Sequence, residues 1–521
     1  MTRSVRLPSL VLATAVMLGS TFLSPAWAAM NAEDAKNLKT IFGQLVERMD
    51  TEARLQGGQL ETEGEIMVEA SDNYFAITLP HMTFVGSDQS KVNIGMIAIN
   101  AMPGSSQQEW KMTVAIPTPI TLYGSDGRET GVIEIGSQNF AGVYNQTFGN
   151  FVRLNGRYKD ISITEPLDSS TVKMGEIAVV YDLKESASGI WSGPMNMAIN
   201  NISALFNKTG SAGKIGSIKI DSTVKNYSVA EANAYSEKMN ALLESLETDA
   251  PSVSAPHVQG MFNTISDFLT TVWDGFGSEF TVTGIEFMNP PKSGQPASTF
   301  KMDHLSFGMT ADGMKGNKAS LQQTLKMAGL SVTPSDSSTE EIMPENLNLD
   351  MTVTNLPLQD LIKMAKDNLN QGVTASSGGN LAALNAMAQA QQLLTQSATT
   401  LTIKDTGLGK TDVYDMKLNG EALANIQAVM GGTGKVRLEI AGIENMIALA
   451  QKAANDPALD AMKKDKAAKA VQSLTFMQMI GQQTKNAGGQ DIRAYDFELT
   501  ADGKTMLNGA DMMGVMGGMP Q

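Results

Sequence analysis

Between residues 348 and 367, in "NLDMTVTNLPLQDLIKMAKD", the hydrophobic period changes from two to about 3.6. Leu347, Leu349, Met351 and Val353 alternate with Asn348, Asp350 and Thr352, which predicts a strand. Leu358, Leu361, Ile362 and Ala365 then fall at helical spacing, with Asn355-Leu356-Pro357 left as the corner. The same switch is expected in "KVRLEIAGIENMIALAQKA", where Val436, Leu438 and Ile440 lead into Ile443, Met446, Ile447 and Ala450 across Ala441-Gly442. It is also expected in "PMNMAINNISALF", from Met195, Met197 and Ile199 into Ile202, Leu205 and Phe206. A helix of about 12 residues is marginal alone. Each is therefore expected to fold back and roof the apolar face of its own strand.

Elsewhere residues 31–50 read as a helix capped by Asn31, with Leu38, Ile41, Phe42, Leu45 and Met49 on one stripe. From Gly57 to Tyr227 the period is two, in segments such as "VNIGMIAIN" and "GEIAVVYDL" separated by turns including Asp126-Gly127, which predicts an antiparallel meander. Residues 228–277 read as helical, opened by the capping box Ser228/Glu231. Strands resume with a hairpin signal at Asp312-Gly313, and "PSDSSTEE" reads as a linker. "VYDMKL" (413–418) and "AYDFEL" (494–499) match in kind, which with the two late switches predicts a tandem unit of roughly eighty residues. Asp456 and Pro457 mark the start of the second long helix. The fold class expected is β-rich α+β: an extended antiparallel meander sheet, a helical connector and a duplicated strand-helix-helix-strand module. The divisions are 1–28 signal peptide, 29–54 helix, 55–227 β-domain, 228–277 connector, 278–345 hairpin region and linker, 346–430 and 431–510 the repeats, and 511–521 a disordered Met-rich tail.

Residues 1–28 carry Arg3 and Arg6, an apolar run and the small-x-small site "AWA", as a cleaved export signal does. That places the mature chain in the periplasm, and no later segment is long and apolar enough to span a bilayer as a helix. Without cysteine the chain has no disulfide framework, no lipid-anchoring thiol and no thiolate metal site. Removal of the two arginines takes the net charge from -15 to about -17, which argues against nucleic acid as a partner.

"LNLDMTVTNLPLQDLIKMA", followed later by "YDFELTADGKTMLNG", resembles the C-terminal part of a proteobacterial envelope family, a domain of unknown function with strands turning into "NLP" helices. More loosely it is similar to AsmA-like envelope proteins, whose extended sheets are thought to handle lipid. The likeness covers residues 346–430 and 435–510. It implies an exported envelope role with no reaction attached.

Candidate chemistry is sparse. His81, His257 and His304 have no partner at metal-ligand spacing. "SDN" (71–73), "KTG" (208–210) and "SAGK" (211–214) are penicillin-binding-type strings in the wrong order, so "NKTGSAGK" is read as a loop. Met512, Met513, Met516 and Met519 offer soft thioethers of the kind that bind Cu(I), but a chain with 34 methionines makes such clusters by accident. No cofactor and no catalytic residue is assigned. The apolar-ligand candidates are Phe262, Phe268, Leu269, Trp273 and Phe276, on a heavy stripe at 258–276 that would wall a groove or else pack on the sheet as any wide stripe does. The functional expectation is a non-enzymatic envelope protein binding an apolar ligand such as lipid between sheet and covering helices. The alternative is a periplasmic scaffold or assembly factor for other envelope proteins.

Overall fold

The computed structural model describes residues 31–166, 169–248, 255–291, 296–333, 343–374, 379–457, 459–486 and 488–512. The expected signal segment, the expected linker at 334–341 and the tail from Met513 lie outside the described residues. The fold is β-rich α+β with antiparallel sheet, and it divides into two compact units, residues 1–223 with 282–298 and residues 224–281 with 299–521.

The first unit opens with helix α1 (Ala32–Leu55), whose Asn31 side chain accepts the Asp34 N–H at 2.7 Å. Its stripe is docked as the spacing predicts: Leu38 and Phe42 are buried, and Ile41, Leu45 and Met49 pack against the same core. The strands behind it are more than a simple meander. The 17-residue strand Glu129–Asn145 pairs along one edge with Asn150–Thr164. Its other edge forks. The first part pairs with Ile120–Tyr123, which leads through Lys91–Gly95 and His81–Val85 to Gln59–Glu63. The last part pairs with Glu109–Ala115, which leads through Ala98–Pro103 and Phe75–Thr78 to Met67–Ala70. A strand this long outreaches any one of its short partners, so two of them share its edge. The core fills this branched sheet, with Phe75, Ile77, Met82, Met112 and Phe140 among its most buried members.

The third strand-to-helix switch is not present. Ile190–Phe206 is one strand, paired with Thr171–Asp182 on both sides of Asn201. Asn201 has a left-handed φ of +55° and lies opposite Gly175; Asp160, at φ +54°, lies between Gly136 and the same Gly175. Asn and Asp tolerate this conformation better than most residues. A Cβ on Gly136 would come within 2.9 Å of Asp160 Cβ, and one on Gly175 within 3.0 Å of Asn201 Cβ, so glycine is what lets the row cross the sheet. The left-handed residue interrupts the two-residue alternation, and in sequence that interruption looks like a change to helical period.

In the second unit the neighbours run in chain order: Ser298–Asp312, Ala319–Ala328, Asn346–Leu356, Thr400–Lys410, Tyr414–Ala424, Gly432–Ala441, Asp491–Leu499, Thr505–Leu507. Helix α2 (Val229–Thr248) and helix α3 (Ala255–Asp267) precede these strands, and the Glu231 N–H donates to Ser228 Oγ at 3.4 Å as the capping box requires. The helical segment ends earlier than the stripe suggests, in a π-turn at Phe268–Val272, and a strand starts at Gly275.

Two of the strand connections carry helix pairs, α4 (Leu358–Thr374) with α5 (Gly379–Gln396), and α6 (Ile443–Asn455) with α7 (Ala461–Ile480). A pair of antiparallel helices returns the chain to the end of the sheet it left, which is what an adjacent antiparallel strand needs. Both predicted corners are left-handed, Asn355 at φ +55° and Gly442 at φ +74°. Above the second pair of strands Met446, Ile447, Leu474 and Met477 pack on a core of Ile440, Ile443, Tyr495 and Leu507, so the roof is real there. In the first pair Leu358 packs with Leu356 and Leu321 on Ala311, Met314 and Ala319, and Lys366 of α4 pairs with Asp267 of α3 at 2.6 Å.

Asp456 is the C-cap of α6, and the N-cap of α7 is Asp460, which accepts the Lys463 N–H at 2.8 Å. Pro457 cannot continue a helix, so the chain leaves α6 at Asp456 and re-enters four residues later. The duplication is also re-registered. "YDFEL" occupies the place of Thr400–Lys410, since each pairs with the strand before its own helix pair. Side chains agree: Asn419 Oδ1 accepts the Asp405 N–H at 2.7 Å and Asn508 Oδ1 accepts the Asp496 N–H at 2.9 Å. The match with "VYDMKL" is one strand out of register.

Candidate functional site

Leu269, Trp273 and Phe276 pack on the Ala311/Met314/Ala319 core. Phe268 lies 4.2 Å from the Tyr235 ring and 4.5 Å from Trp273, centroid to centroid, and Phe262 is partly buried on α3. The stripe is mostly packing surface, and Val258 and Ile265 of the same stripe are about half exposed, at 50% and 43%. Met512 packs on the Tyr495 core, and Met513, Met516 and Met519 lie outside the described residues. Among the described residues no group of three or more His, Asp or Glu could hold a metal. Lys208 and Gly210 sit in the turn before the strand Ser211–Ser228, so Ser211 starts a strand and has no helix behind it.

An apolar cleft lies elsewhere, in the first unit beneath α1, with a volume of about 270 Å³. Its roof is Ile41, Phe42, Leu45 and Met49 of α1. Its floor comes from Leu79, from Ile97 and Ile99, from Met112, Val114 and Ile116, and from the hairpin residues Tyr144 and Phe151. Strand register sets that floor: Ile99 faces Val114 across one pair, and Tyr144 faces both Trp110 and Phe151 across two others. Tyr144 and Phe151 meet edge to face at 5.8 Å. Gly142 makes room for the Phe151 ring, since a Cβ there would overlap it. Two larger clefts, of about 440 and 410 Å³, are lined mainly by polar side chains such as Lys410, Asp412 and Asn445, or Asp360, Lys363 and Gln389. Only a greasy wall gains from an apolar guest, so the smaller cleft is the candidate.

Polar groups stand at one part of its lining: Arg48 and Glu52 from α1, and Tyr144 and Asn150 from the hairpin. Burial pushes the Tyr144 phenol up from its ordinary pKa, and the charge of nearby Arg48 pulls the other way. Among the described residues neither the Arg48 guanidinium nor the Tyr144 hydroxyl has a hydrogen-bond or ion-pair partner. The helix stripe and strand alternation that build this cleft were visible in sequence. Their meeting was not, because four separate strands and a helix contribute, and Arg48 beside Met49 gives no periodic signal.

No model of a known protein family and no curated protein matches the chain. Among the described residues no helix is long and apolar enough to cross a membrane.

Proposed function

We propose that this is an exported, non-enzymatic protein of the cell envelope that holds an apolar ligand, lipid-like in chemistry, in the cleft beneath α1. The observation that carries the reading is a largely apolar cleft between a helix and a sheet, with a few polar groups gathered at part of its lining. The export-signal pattern of residues 1–28 supports the periplasm as its place of work. Native mass spectrometry of the protein purified from periplasm should show a co-purified adduct that organic solvent extracts as lipid. A clean apo mass with nothing extractable would count against it.

The scaffold reading has its own observation. Val429 and Met430 are 74% and 67% exposed, and Leu384 and Met387 of α5 are 62% and 70% exposed. A Cβ on Gly431 would meet Gln391, so this loop lies on α5, on the helix face that Leu384 and Met387 share with Gln391. Clustered exposed apolar side chains suit a protein partner. A photo-crosslinker at Val429 that captures one defined envelope protein would favour this second reading.

A further inference from the structure

Resting on the proposed apolar cleft, we infer that its occupant is one single-chain amphiphile with an anionic head, its carboxylate or phosphate seated against Arg48 and Tyr144. The volume sets the tail. At about 30 Å³ per water-sized group, a cavity of about 270 Å³ matches on the order of nine methylenes, the length of one short alkyl chain.

The head follows from the donors. Arg48 offers a planar fork of N–H groups suited to two oxygens of one anion, and the Tyr144 phenol adds a further O–H donor. Both lack partners among the described residues, so a ligand oxygen would displace water only. Glu52, one helical turn beyond Arg48, is the opposing charge at this lining. It is exposed and lies in no ion pair with Arg48. Screening therefore leaves it a modest repulsion, while the Arg48 contact is direct.

The test is binding of decanoate, decanol and decyltrimethylammonium to the purified mature protein by isothermal titration. Wild type should bind decanoate at least tenfold tighter than decanol, the range of a hydrogen bond to a charged group. Arg48→Gln should erase that difference and leave decanol unchanged, and Glu52→Gln should tighten decanoate severalfold. Arg48 is exposed on α1, so the variant is expected to fold, and an unchanged circular dichroism melt checks this. Equal binding of decanoate and decanol, untouched by Arg48→Gln, would overturn the anionic head and leave the apolar cleft standing. Preference for decyltrimethylammonium would overturn it in favour of Glu52. Binding of none of the three would overturn both this inference and the reading it rests on.

Discussion

Gly442→Ala is expected to loosen the second roof at its corner. Gly442 has φ +74°, and a Cβ there would land on the Val413 carbonyl oxygen, well inside van der Waals contact. The left-handed conformation costs an L-residue roughly 1–2 kcal/mol. Relieving the overlap means moving the Val413 peptide, at about 1–3 kcal/mol for a crowded site. That move also strains the hydrogen bond from Asn445 Nδ2 to the same carbonyl, 3.1 Å long. The stiffer unfolded chain returns about 0.4–1 kcal/mol. The net loss is about 2–4 kcal/mol. Gly489→Ala is the control, because Gly489 has φ +80° and nothing within 4 Å of a built Cβ; it should cost only about 1 kcal/mol. Hydrogen exchange read by mass spectrometry should show Gly442→Ala lowering protection in α6 and the strand Tyr414–Ala424 by roughly thirty- to a thousandfold. If the two substitutions cost the same, the close approach at this corner is not what holds α6 in place.

Tyr495→Phe should cost about 1 kcal/mol in urea unfolding, because the buried hydroxyl donates to the Met477 carbonyl at 2.7 Å while the Gly481 N–H still satisfies that oxygen. A loss above about 3 kcal/mol would mean the ring itself had moved. Gly175→Val places a branched side chain between Asp160 and Asn201 and should lower the melting temperature of the first unit by several degrees, about 2 kcal/mol or more; an unchanged melt would show that the glycine row is dispensable. Glu444 has its carboxyl held below the ordinary range, first by the hydrogen bond from Gln478 and also by the Arg493 charge. A depressed carboxylate stabilises above its unfolded pKa and loses that contribution as pH falls through its folded one. Contact between α6 and α7 should therefore weaken only at pH below the ordinary carboxylate range, and Glu444→Gln should flatten that dependence in an acid titration followed by exchange.

How much of this was legible depends on where each signal lives. The stripes of α1 and α6 are local and periodic, and each faces a core as its spacing predicts, while of the α4 stripe Leu358 packs on the Ala311 core. The corner residues Asn355 and Gly442 were also legible, since few residue types accept a left-handed backbone. Ile202, Leu205 and Phe206 misled because a left-handed Asn201 inside a strand breaks alternation just as a new helix would. Asp456 and Asp460 are both sound capping residues, and only the structure decides which side of Pro457 each serves. The fork at Glu129–Asn145 and the cleft beneath α1 are non-local: pairing between strands dozens of residues apart builds both, and no window of sequence contains it. For the same reason the bulky residues at 262–276 stood out in sequence, whereas the scattered Ile97, Ile99, Met112 and Val114 that line the cleft beneath α1 did not.

Occupancy of the cleft is best tested with a nitroxide-bearing alkyl chain added to protein carrying carbon-13 methionine methyls. Met49 and Met112 line the cleft, whereas Met387 and Met430 stand exposed in the other unit and serve as reporters of surface adhesion. The account predicts paramagnetic broadening of the Met49 and Met112 signals at substoichiometric probe, with Met387 and Met430 unaffected. Broadening confined to Met387 and Met430, or none at any methionine, would contradict it.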